Sequence, residues 1–345
     1  MKAIVAHAAK DLRVETRDVP SPGVGEVLIT LETGGICGSD LHYYNHGGFG
    51  PIQLKEPMIL GHEVSGRVAV LGADVDGLEV GQLVALSPSR PCYTCAYCQA
   101  GEHQHCLNMR FYGSAMPFPH IQGAFREMIV ADHRQCVVAD GLTAGEAATA
   151  EPLAVVLHAA RRAGDLMGKR VLVTGCGPIG MLAICVARAA GAVEVVATDV
   201  TDFTLAKASE IGADATFNVA ENATALDAFG ADKGHFDVLF ECSGVAAALG
   251  AAITALRPGA VVMQLGLGGD MTLPMQAMTA KEIELRGSFR FHSEFATAVA
   301  LMQGGQIDVK PLITHTFSMQ DAVAAFEMAS DRTQAVKAQI SLNPH

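Results

Sequence analysis

Four cysteines, Cys92, Cys95, Cys98 and Cys106, fall in the run PCYTCAYCQAGEHQHC, and their spacing fixes this stretch of chain more tightly than any hydrophobic pattern does. With two residues between successive early sulfurs and seven before the last, one loop can wrap four thiolates around a tetrahedral zinc ion without a distant ligand. All four positions are then filled by sulfur, so such a site is structural and leaves no place for a substrate. His103 and His105 lie inside this lobe and, beside four cysteines, read as surface residues.

The chain of 345 residues is too long for a zinc-finger module, and at ~150 residues per domain it holds two domains. Its 24 Lys and Arg against 36 Asp and Glu give a net charge of -12, which opposes the electrostatic capture of a phosphate backbone, so nucleic acid is not an expected partner. Nine cysteines, four of them at ligand spacing, read as metal and thiol chemistry in a reducing cytoplasm rather than a secreted disulfide framework. No secretory signal is expected in MKAIVAHAAKDLRVET, which lacks an apolar core and a cleavage site. Val171 to Ala187 imitates a membrane span, but three glycines and Pro178 break it into a strand, a turn and a helix, so no membrane association is expected.

The pattern changes near residue 150. Before it come short β-rich runs, EVLITL, EVSGRVAVLG and QLVALS, separated by Gly, Pro and Asp. After it strands and helices alternate: RVLVTG, PIGMLAICVARAAG, VEVVATD, TLAKASEIGA, FDVLFE and AVVMQLG, the rhythm of a doubly wound parallel sheet. The predicted fold class is α/β, with a β-rich domain over 1–152 carrying the cysteine lobe at about 88–110, and a parallel-sheet domain over 153–288. Residues 289–345, with helices at FATAVALMQGG and MQDAVAAFEMAS and a last strand KAQISL, return to the first domain.

Gly175, Gly177 and Gly180, with Pro178 and Ile179 between them, follow the strand RVLVT directly and open a helix, the context in which a G-x-G-x-x-G turn binds a pyrophosphate. Asp199 closes the next strand, where a carboxylate suits a ribose diol and repels a 2′-phosphate, so NAD is favoured over NADP; the plain alternative for Asp199 is a helix cap. A second metal set is offered by Cys37 in GGICGSDLH and by His62 and Glu63 in LGHEVSG, although sequence spacing alone cannot join them. A closed zinc site, an open metal set and a dinucleotide turn in one chain point to a zinc-dependent dehydrogenase.

GGICGSDLHYY, GHEVSGRV, the cysteine lobe, AEPLAV and GCGPIG occur in an order that resembles the medium-chain zinc alcohol and polyol dehydrogenases over essentially the whole chain. The resemblance implies a GroES-like catalytic domain interrupted by a Rossmann domain, and two Zn²⁺ per chain. It makes Cys37 and His62 zinc ligands, with Glu63 and Glu151 competing for the remaining protein position. The carboxylate in EPL, where the liver-type enzymes have a cysteine, resembles the sorbitol and threonine dehydrogenase branch and keeps the ion tolerant of oxygen ligands. Ser39 and His42 match the family's proton relay, though Ser39, or Asp40 beside it, is also a natural helix cap. KEPMILGHE, NMRFYGSAMPFPHIQGAF and RGSFRFHSEF resemble the branch that oxidises sugar acids such as L-idonate. Arg290 and Arg110 are then candidates to meet the substrate carboxylate and Tyr43 to hold a hydroxyl. A homodimer or homotetramer is implied, joined near Val261 to Gly266 and Glu282 to Gly287. The competing readings are a zinc-free relative, which metal analysis separates, and a non-enzymatic zinc and dinucleotide sensor, which binds NAD without turnover.

Overall fold

The strand Glu26–Gly35 is buried along most of its length, because both of its edges are paired and both of its faces are covered. In the computed structural model, which describes residues 1–343, it is the centre of a seven-stranded sheet. One edge pairs antiparallel with Glu63–Leu71, beyond which lie Leu83–Leu86 and Cys136–Val138. Met128–Asp132 pairs the first half of the central strand, and Lys337–Ser341 pairs its last residues, with Ile313–Ser318 outside it. The last two strands are thus held in the same sheet as residues near the start of the chain. Ile29, Leu31, Val64, Phe125, Phe326 and Ile340 fill this core.

The second sheet has six parallel strands in the order Ala215–Asn218, Glu194–Asp199, Arg170–Thr174, Phe236–Glu241, Leu256–Gln264, Glu284–Gly287. Numbered in sequence, that is 3-2-1-4-5-6, the Rossmann order, whose switch point lies between the first and fourth strands. The apolar run from Val171 is divided as its glycines require, into the strand Arg170–Thr174 and the helix Pro178–Ala189 with proline in its first turn. Among the described residues no helix is long and apolar enough to cross a membrane.

Helix Ala150–Ala163 ties the two sheets together. It packs against Pro178–Ala189 and Glu294–Gln303, and one apolar cluster runs from Leu83 and Ala85 of the first sheet through Leu153, Ala154 and Leu157 to Met181 and Val173 of the second. The helix also carries Glu151 in its first turn, so the element joining the two domains holds a candidate site carboxylate.

Candidate active site

Helix Gly38–His46 begins at Cys37, whose backbone N–H donates to Asp40 Oδ2 at 3.1 Å. Asp40, rather than Ser39, completes this capping box, and it is fully buried because its other oxygen accepts from Gly61 N at 3.0 Å. That second bond draws the His62 loop against the helix start. Burial raises the Asp40 pKa, and Oδ1 stands 3.8 Å from His62 Nδ1, a buried nitrogen without a hydrogen-bond partner. One donor atom each from Cys37, His62 and Glu63 then lie within 4.8 Å of one another.

Strand register explains why Glu63 is there. It sits opposite Gly35, where a Cβ would collide with its carboxylate. Lys337, from the adjoining C-terminal strand, donates to both Glu63 oxygens at 2.8 and 2.7 Å and to Ile36 O at 3.1 Å. Burial opposes the Lys337 charge, but Glu63 together with Cys37 and Glu151 outweighs it and the pKa is raised. Nothing in the motif reading singled out Lys337; its signal is a lone cation inside the otherwise apolar or neutral strand VKAQISL. Glu151 is also buried, and that burial pushes its pKa up to about 7 against the pull of His62.

Ser39 and His42, three apart, share one face of the helix. Partial burial lowers the His42 pKa, with His46 adding to the effect, so its ring is a neutral proton acceptor near pH 7. Tyr43 is buried and its hydroxyl accepts from Ala115 N at 3.0 Å, leaving its own proton to donate.

The Phe111 ring stands 5.5 Å from that of His62 and also lines a pocket of about 270 Å³ shared with Ser114, Met116, Arg290 and the lobe residues Cys106 and Leu107. The Arg290 guanidinium lies 4.6 Å from the Phe111 ring centroid and 5.0 Å from that of Phe289, and it holds no ion pair among the described residues. Arg110 is not in this pocket. It precedes Phe111 in a strand, and neighbouring strand side chains point to opposite faces, so Arg110 lines a different pocket with Arg90 and Arg126. Of the two arginines offered for a substrate carboxylate, Arg290 lines the pocket beside Phe111 and Arg110 does not.

In the lobe, the sulfurs of Cys92, Cys95, Cys98 and Cys106 all lie within 4.8 Å of one another. Backbone N–H groups of Cys92 and Asn108 donate to Cys106 Sγ at 3.2 and 3.3 Å, and the Thr94 hydroxyl, donating to Cys92 Sγ, leads the interactions that pull that thiol down to about 5. Donors aimed at sulfur favour thiolates, the form that zinc takes. His103 is not a free surface ring: it stacks on His292 with centroids 4.1 Å apart, docking the lobe beside the Arg290 segment.

The nucleotide turn sits at the switch point. A Cβ at Gly180 would strike Gly175 O, one at Gly175 would come within 2.8 Å of Ser243 N, and one at Gly177 would meet nothing within 4 Å. Gly175 and Gly180 therefore close the turn, and Gly177 faces open space as a cradle for a pyrophosphate requires. Asp199 Oδ2 accepts from Cys176 N at 2.6 Å, and Oδ1 accepts from Val200 N and Thr201 N at 2.7 and 3.1 Å. The carboxylate is thus locked at the edge of the turn. Asp202 follows it, and Lys207 is engaged by Glu210 at 2.7 Å.

The sequence matches the family model of the alcohol dehydrogenase GroES-like domain over residues 23–141 and that of the zinc-binding dehydrogenases over 178–304, more than half of the chain together. The chain belongs to the zinc-binding, medium-chain dehydrogenases. Within this family it is 44% identical over 315 residues to an L-idonate 5-dehydrogenase (NAD(P)(+)) of Escherichia coli strain K12, covering 91% of each chain. It is 37% identical over 348 residues to a sorbitol dehydrogenase of Gallus gallus, covering 99% of this chain and 96% of the other. The crystal structure of L-idonate 5-dehydrogenase from Escherichia coli superposes with a TM-score of 0.94 at 41% identity, covering 99% of this chain and 97% of that one. The chain is a zinc-dependent oxidoreductase of the class that acts on CH–OH groups, with a GroES-like and a Rossmann part.

Proposed function

We propose that the protein oxidises a secondary alcohol of a sugar acid with NAD, and that L-idonate, converted to 5-dehydro-D-gluconate, is its substrate. The observation that carries this reading is Arg290, a guanidinium without a carboxylate partner, held between two aromatic rings in a pocket that reaches His62 through Phe111. A planar cation kept unpaired there fits a carboxylate better than a neutral polyol. The likeness to L-idonate 5-dehydrogenase supports the same choice.

Cys37, His62 and Glu63 would hold the catalytic zinc, and the orphaned, buried His62 nitrogen with Asp40 behind it suits a ligand fixed from its far side. Zinc bound there supplies Lewis-acid polarisation of the alcohol, and the nicotinamide nucleotide supplies the hydride acceptor. Ser39 accepts the alcohol proton and passes it toward His42, whose lowered pKa keeps it ready to receive. Tyr43 offers its hydroxyl proton to the sugar, Lys337 orients Glu63, and Glu151, poised near neutrality, balances charge beside His62. Arg290 sets which end of the substrate faces the donors.

In steady-state kinetics, Arg290→Ala should lower kcat/KM for L-idonate by about tenfold to a hundredfold, the loss of a charge-assisted contact of ~1.5–3 kcal/mol, and that for sorbitol far less. Equal losses would remove the carboxylate role. A wild type that prefers sorbitol, as the likeness to sorbitol dehydrogenases allows, would move the substrate to the polyols.

NAD is proposed over NADP because Asp199 and Asp202 leave a 2′-phosphate facing negative charge. The double change Asp199→Ala and Val200→Arg, at a side chain 61% exposed beside the turn, should shift the kcat/KM ratio toward NADP by about tenfold or more. A wild type already faster with NADP would sink the assignment. The cysteine lobe is proposed to hold the second zinc, so Cys95→Ser should lower metal content from about two ions per chain to one and make the lobe a site of rapid proteolysis. Unchanged metal content would refute it.

A dimer or tetramer is proposed through the edge strand Glu284–Gly287 beside Leu256–Gln264, an edge with exposed Leu285. The nine free cysteines support a reducing, cytoplasmic setting.

A further inference from the structure

We propose that the pocket lined by Arg90, Arg110 and Arg126 binds a small multivalent oxyanion, a phosphate-bearing or di- or tricarboxylate metabolite. It lies on the opposite face of the Ser89–Arg90 and Arg110–Phe111 ladder from the Arg290 pocket, because Arg110 turns away from Phe111.

Three observations carry it. Arg90 and Arg110 are directly opposed across the antiparallel ladder, where like charges repel and are destabilising without a counter-charge. Arg126 stands in the same pocket with its Nε buried and without a hydrogen-bond partner; burying a cation in that way is costly unless something pairs with it. The lining contains no carboxylate, although the chain as a whole is acidic.

Of the nearby carboxylates, two meet Arg90, and none forms an ion pair with Arg110 or Arg126 among the described residues. Glu26 and Asp132 reach Arg90 at 3.3 and 3.9 Å, and Asp132 is held more closely by Arg134 at 2.6 Å. Glu56 accepts from His120 N at 2.7 Å, and Glu127 accepts from Lys2 N at 2.6 Å. Arg110 has no ion pair among the described residues. Of the remaining polar lining, Gln122 offers a donor. Gln122 accepts from Ile59 N through Oε1, which leaves its NH2 free. His120 accepts from Lys55 N through Nε2 and pairs with Pro117 O through Nδ1, so its ring is held in place by the backbone.

The volume of about 240 Å³ is below the ~300–1,000 Å³ usual for drug-sized ligands, so the occupant is compact. Guanidinium groups converging on such a space match the paired oxygens of phosphates and carboxylates. Burial that lowers the Arg126 pKa agrees with a cation lacking its counter-ion.

The test is isothermal titration calorimetry of the intact protein saturated with NAD, which fills the Gly177 turn, with inorganic pyrophosphate and, separately, with citrate, in 0.15 M NaCl to screen loose surface association. One site per chain is expected, with affinity falling by about tenfold or more in Arg126→Met. Arg110→Glu, at an exposed position where folding is not at risk, should give the same loss. Tighter pyrophosphate assigns the site to phosphate-bearing ligands, and tighter citrate to polycarboxylates. Absence of binding by the wild type, or equal binding by wild type and both variants, would overturn the proposal. Light scattering covers the other occupant: if the wild type binds neither anion and Arg110→Glu dissociates its oligomer, the pocket is a contact between copies of the chain.

Discussion

Replacing Cys37 by alanine should lower kcat/KM by about 10³-fold or more, equivalent to about 4 kcal/mol of transition-state stabilisation, because the polarising ion loses its one sulfur ligand. Metal content should fall by one ion while the lobe keeps its own. The same substitution removes the side-chain partner of the helix start, a cap contact of ~1 kcal/mol, so the fold should persist and the lost activity should not be read as unfolding. Circular dichroism and metal quantification on the purified variant separate the two effects. A variant that keeps two zinc ions and near-normal turnover would show that Cys37 is only a packed thiol beside His62.

In protein freed of its catalytic zinc by a chelator, Lys337→Met should destabilise the fold by about 3–5 kcal/mol in urea denaturation, because it leaves the Glu63 carboxylate buried without its cation. Both side chains of this pair are nearly inaccessible, at 3% and 2% exposure, so solvent cannot replace the lost partner. Combining it with Glu63→Gln should recover a large part of the loss, since the uncompensated charge is then absent. A single variant within 1 kcal/mol of the zinc-free wild type would mean that Glu63 does not depend on Lys337 for its counter-charge.

What the sequence shows about this fold follows the range of its signals. The strand-turn-helix at residues 170–189 is legible because strand, glycines and helix are contiguous, and the parallel doubly wound sheet follows from the alternating rhythm behind it, whereas its strand order came from the structure. Helix Ala246–Ala255 is not legible from periodicity: AAALGAAITA has no polar stripe, so a 3.6-residue pattern has nothing to contrast with. The lobe shows the same division. Its four sulfurs converge as their spacing predicts, whereas the stacking of His103 on His292 depends on a segment that returns almost two hundred residues later.

In the candidate active site, sequence supplied the donor types, and the alternation that separates Arg110 from Phe111 became visible only once a strand was known to run through them. Two carboxylates, Glu63 and Glu151, had equal claims to stand with Cys37 and His62. Tertiary structure brought Glu63 into that group, through the antiparallel register that puts it opposite Gly35. It also set Lys337 against Glu63 from 274 residues away, by pairing the last strand with the central one. Short spacings fix ligand chemistry because a few bonds limit where side chains can go; which distant residues share a buried space is decided only when strands pair and their faces close.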